Sequence, residues 1–107
     1  MDEYDGGRQS LESIAAGVAS RLEASPQRVM LEVSSDGREY SLYYYIGNYT
    51  SKMKGKLEPP VNDVKMILNT VQAKVPEHYT ISVRVGGKDQ FFLNIIQKPK
   101  NYINGHS

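Results

Sequence analysis

Apolar and polar positions follow two rhythms along this chain, one typical of helices and one of strands. Leu11, Ile14, Ala15, Val18 and Leu22 recur at the three- and four-residue spacing of a single helical face. Ser10 precedes them as an N-cap. Pro26 closes the segment, because the residue before a proline is pushed out of the helical region. Residues 28–34 then alternate, with Val29, Leu31 and Val33 on one side and Arg28, Met30 and Glu32 on the other. Asp36-Gly37 signals a turn, and the REYSLYYYI after it is rich in strand-forming aromatic and β-branched residues.

The same order then returns. Pro60 suits a first helical turn, and Val61, Val64, Ile67, Leu68, Val71 and Val75 make an apolar stripe that Pro76 ends. Tyr79, Ile81, Val83 and Val85 alternate with Thr80, Ser82 and Arg84. Gly86-Gly87 turns the chain, and DQFFLNII forms a last strand. Residues 47–59 read as a loop, and residues 1–9 and 98–107 as flexible tails around a single domain over residues 10–97. The expected fold class is α+β in the order α-β-β-α-β-β, folded as one four-stranded antiparallel sheet with two helices packed on one face. Segments 10–46 and 60–96 align without gaps at an offset of 50, with Pro26 on Pro76, Val33 on Val83, Gly37 on Gly87 and Ile46 on Ile96. That alignment raises an internal duplication as an expectation.

Hairpin register decides which side chains meet the helices, since a slip of one residue exchanges the faces. A three-residue turn in the second hairpin, with Gly87 left-handed, puts Phe91, Leu93 and Ile95 beside Tyr79, Ile81 and Val83 and makes that side wholly apolar. The same turn in the first hairpin puts Tyr43 and Tyr45 beside Val29, Leu31 and Val33. The other face then presents Met30, Tyr40, Leu42, Tyr44, Ile46, Phe92 and Ile96, with Arg28 and Arg84 among them. A two-residue turn in the first hairpin sends Tyr40, Leu42 and Tyr44 inward and leaves Tyr43 and Tyr45 outside. Either register leaves a tyrosine-rich surface, more apolar than a solvated sheet face needs to be.

Charge adds little to this. The 107 residues hold 13 basic and 12 acidic groups, a net charge of +1 that exerts no general pull on nucleic acid. The densest basic spot is Lys52, Lys54 and Lys56, a candidate contact for an anion or nucleic acid. Without cysteine there is no disulfide framework, thiol catalyst or cysteine-bound zinc. No apolar run approaches the ~18 residues of a membrane span. The opening MDEYDGGRQS is acidic and polar where a signal peptide is basic and then apolar, so a cytoplasmic protein without membrane contact is expected. His78 and His106 lack a second ligand at helical spacing, and no serine sits in a nucleophile elbow. Gly86-Gly87-Lys88 leads into a strand, whereas a phosphate-gripping loop leads into a helix. No catalytic residue, metal or cofactor is therefore expected.

These features point to a small non-enzymatic protein-interaction module, an adaptor, inhibitor or chaperone-like protein that binds a protein partner or itself as a homodimer. The candidate contacts are Met30, Tyr40, Leu42, Tyr44 and Phe92, with Arg28 and Arg84 beside them. The alternative is single-stranded nucleic acid on the same face, with Tyr40, Tyr44 and Phe92 stacking on bases and Arg28, Arg84, Lys98 and Lys100 holding phosphates. The element order resembles that of the small α+β chaperones of type III secretion, which dimerise and hold an unfolded effector. Those proteins have an additional strand and a closing helix and are usually acidic, so the likeness lies in element order and assigns no residues.

Overall fold

Ser10 holds an extended backbone, and its Oγ accepts a 3.1 Å hydrogen bond from the Ser13 amide. That satisfies one of the free donors of a first turn and starts helix α1 (Leu11–Leu22). Asp63 does the same for α2 (Val64–Gln72), accepting from the amides of Lys65 and Met66. The helix thus begins four residues after the expected Pro60, directly behind Asp63, where a side-chain acceptor is available. The structure, a computed structural model, describes residues 1–99. It is α+β, with these two helices and a six-stranded mixed sheet. The strands are β1 (Asp2–Gln9), β2 (Arg28–Val33), β3 (Glu39–Ile46), β4 (Tyr49–Leu57), β5 (Tyr79–Val85) and β6 (Phe91–Gln97). Their spatial order is β1-β4-β3-β2-β6-β5. β1 runs parallel to β4, and every other pair is antiparallel.

The expected four-stranded antiparallel sheet is therefore corrected to six mixed strands. Within the expected tail 1–9, Asp2–Gln9 forms an edge strand. Its alternation is invisible because β1 is held by backbone pairing to β4, interrupted by a bulge between Asp5 and Gly7, with little apolar burial. Most of the expected 47–59 loop is β4. Its alternation is real, with Lys52, Lys54 and Lys56 on one side, but Ser51 and Gly55 on the inner side do not read as apolar. Of the expected second tail, Lys98 donates its amide to the His78 carbonyl, while residues 100–107 and His106 lie outside the described residues.

The first hairpin also departs from the expected register. The Ser34 amide bonds the Glu39 carbonyl at 3.0 Å, so the loop spans the four residues 35–38. Ser34 Oγ accepts from the amides of Arg38 and Glu39 and donates to Asp36, and Gly37 takes φ +73°. The Ser34 hydroxyl, and then the Arg38 amide, hold the Asp36 carboxyl below its usual range. An even loop pairs Val33 with Tyr40 and Leu31 with Leu42, sending the even residues of β3 inward. In the second hairpin Gly86 bonds Gln90, leaving the three residues 87–89, and the expected faces of β5 and β6 hold. The left-handed residue is Asp89, at φ 62°, and not Gly87. One loop is even and the other odd, so the gapless offset of 50 lays Tyr43 on Leu93 although the two occupy opposite faces.

The apolar residues of α1 and α2 join those of one sheet side in a single hydrophobic cluster. Leu11, Ile14, Ala15, Val18 and Leu22 are all buried, as their spacing predicts, together with Ile67 and Val71. From the strands come Val29, Leu31, Val33, Tyr40, Leu42, Leu57, Leu93 and Ile95. Burying each large aliphatic side chain contributes about 1.5–3 kcal/mol. Among the described residues no helix is long and apolar enough to cross a membrane.

Candidate binding face

The side of the sheet opposite this cluster carries the candidate site. Register puts Arg28, Met30 and Glu32 of β2, Tyr43 and Tyr45 of β3, and Phe92, Asn94 and Ile96 of β6 on that side. Lys52, Lys54 and Lys56 extend it across β4, opposite Tyr43, Ser41 and Glu39 respectively. Arg84 extends it across β5, opposite Phe92. Met30, 9% exposed, lies at the centre of this face.

Cations lie over the rings. The Arg28 guanidinium is 4.4 Å from the Tyr45 ring centre, and that of Arg84 is 4.3 Å from the Phe92 centre. Lys52 Nζ is 5.4 Å from the centre of the Tyr43 ring. Contacts of this kind contribute roughly 0.5–1 kcal/mol at exposed positions. Tyr43 and Tyr45 stack with ring centres 6.5 Å apart and planes inclined by 11°. The Tyr43 hydroxyl donates to Glu32 Oε1 at 3.2 Å, and burial, followed by the nearby Glu32 charge, pushes its pKa up. Asn94 Oδ1 is buried without a hydrogen-bond partner among the described residues.

At one end of the face the sheet opens into a shallow hollow of ≈ 990 Å³, lined by Glu3, Asp5, Glu32 and Glu39 and by Arg8, Lys54, Lys56 and Lys88. Lys56 pairs with Glu39 at 2.9 Å, and Arg8 pairs with Glu58 at 2.9 Å beside the hollow. Charges of both signs thus alternate there, so the hollow has no single electrostatic preference. Among the described residues no three His, Asp or Glu side chains converge on a metal position.

The sequence-derived candidates separate into two groups. Met30, Phe92, Arg28 and Arg84 lie together on the open face, and Lys52, Lys54 and Lys56 join them there. Tyr40 and Leu42 belong to the core, 2% and 1% exposed, and Tyr44 packs against it from the same side. The four-residue loop is the cause, since it turns the even positions of β3 inward. Tyr43 and Tyr45 take their place, as the even-loop register requires. The clue was Ser34, whose hydroxyl can bridge a longer Ser-Ser-Asp-Gly turn. No protein-family model, curated protein or solved structure matches the chain.

Proposed function

We propose that this chain is a non-enzymatic protein-interaction module of the cytoplasm, with both helices packed on one side of its sheet and the other side given to a protein partner. The observation that carries this is the row of rings and cations on the open face: Tyr45 under Arg28, Tyr43 beside Lys52, and Phe92 under Arg84, around Met30. Aromatic, methionine and arginine side chains are the types enriched where proteins meet. The fitting partner is an extended polypeptide segment with apolar and acidic side chains, the first for the ring edges and Met30, the second for the cations.

Single-stranded nucleic acid is the second reading, favoured by Lys52, Lys54 and Lys56 standing in line on the same face as Tyr43. Two features weigh against it. Arginines already lie over the Tyr45 and Phe92 rings, where bases would stack, and Glu3, Asp5, Glu32 and Glu39 alternate with the lysines.

Fluorescence anisotropy with a labelled, permanently unfolded polypeptide and a labelled oligothymidylate tests the choice. The expected result is polypeptide binding that persists at high salt and is lost in the Tyr45→Ser/Phe92→Ser double variant while the thermal midpoint moves little. Oligonucleotide binding that collapses steeply with salt would give the face to nucleic acid. Binding of neither probe would overturn the assignment.

A further inference from the structure

The two edges of the sheet are built differently. Edge strand β1 carries Asp2, Glu3, Asp5 and Arg8 and is broken by a bulge, features that discourage another strand from pairing. Edge strand β5, YTISVRV, has no proline or bulge and a single charge, Arg84. Val83 is 38% exposed and Val85 57%. The Gly86–Gln90 bond fixes the alternation of the β5–β6 ladder, so the amides and carbonyls of Ile81 and Val83 point away from β6. Among the described residues nothing pairs with that side of β5.

We infer that β5 pairs antiparallel with β5 of a second copy, about a two-fold axis at Ser82, to make one continuous twelve-stranded sheet. A strand of this composition is complementary to itself. Centring on Ser82 engages all seven residues of the strand. It sets Ile81 against the second copy's Val83, two residues whose free amides and carbonyls face each other and can exchange four hydrogen bonds over both halves. Val85 meets the second copy's Tyr79. Arg84 meets Thr80, so the two arginines stay apart. The apolar edge of one copy covers that of the other, and the two open faces become one extended surface. The dimer does not depend on the open face holding any ligand.

Sedimentation equilibrium across a concentration series tests this on the full chain. The wild type is expected to reach twice the 12.0 kDa mass of one chain. Val83→Pro removes an amide that points outward and leaves the β6 ladder intact, and Val83→Lys places a charge at the contact. Both are expected to lose the doubled mass and remain folded by circular dichroism. The Tyr45→Ser/Phe92→Ser variant is expected to keep it. A wild type that stays at single-chain mass would overturn the inference. So would a dimer that survives both Val83 changes or is lost only when the open face is altered.

Discussion

The Tyr79 hydroxyl donates a 2.6 Å hydrogen bond to the carbonyl oxygen of Pro26, joining the start of β5 to the loop that follows α1. Both residues are buried, so the bond ties the two halves of the chain together where water cannot replace it. Tyr79→Phe leaves the Pro26 carbonyl without its donor. We expect a loss of about 1–3 kcal/mol, read as a lower denaturant midpoint at unchanged slope.

The same burial makes the protein sensitive to alkali. Tyr79 and Tyr40 are pushed above the ordinary phenol value of 10.0, chiefly because burial disfavours their phenolates. The unfolded chain therefore gives up these protons first as the pH rises. Stability from the two tyrosines is complete below about pH 10 and falls as the pH climbs through their raised folded values. Denaturation midpoints measured from about pH 8 to about pH 11 should drop over the upper part of that range. Tyr79→Phe should reduce the drop, and a flat profile would contradict the assignment.

Two glycines that look alike in sequence should respond differently. Gly37 has φ +73°, and a Cβ there would collide with the Val61 carbonyl. Gly87 has open space around it and ordinary φ. Gly37→Ala should cost about 2–4 kcal/mol, combining backbone strain with displacement of the segment before α2. Gly87→Ala should change the midpoint by less than about 0.5 kcal/mol. Equal effects would refute the loop geometry.

Gly55 allows β1 to lie against β4, for a Cβ at this position would strike the Gly7 carbonyl and crowd the Tyr40 hydroxyl. Gly55→Ala should loosen β1 while β2, β3 and β6 keep their pairing. Amide exchange over Asp2–Gln9 should accelerate at least about tenfold, with protection in Leu31 and Leu93 retained.

Asn94 lies between Met30 and Ser82 across the strands, its Oδ1 buried and unpaired among the described residues. An unpaired buried acceptor costs about 1–3 kcal/mol, so Asn94→Leu should raise the denaturation midpoint. A lower midpoint would mean that the amide makes a bond that apolar packing cannot replace.

What could be read without coordinates follows where burial is one-sided and regular. α1 appears residue for residue, from the Ser10 cap to Leu22, because a five-residue apolar stripe and a capping serine leave one solution. β2, β5 and β6 alternate openly and were equally plain. β1 and β4 escaped because backbone pairing and small residues such as Ser51, Gly7 and Gly55 hold them, and neither leaves a hydrophobic rhythm. The candidate face was legible as a tyrosine-rich surface, but its members turned on one loop residue. In YSLYYYI both parities are apolar, so composition could not choose between Tyr44 and Tyr45. The Ser34 hydroxyl and the four-residue loop make that choice.

β2 stands in the middle of the sheet, yet its two neighbours come from very different distances along the chain: β3 begins six residues after β2 ends, while β6 closes at Gln97. During synthesis the portion through Leu57 can assemble β1, β4, β3 and β2, four of the six strands, into a partial sheet whose outer rail is the future centre. That rail, RVMLEV, carries the buried Val29, Leu31 and Val33 and has to wait for β6, near the end of the described chain, before its free edge is paired. The edge left open while the chain is being made is thus the one that ends in the middle of the finished sheet.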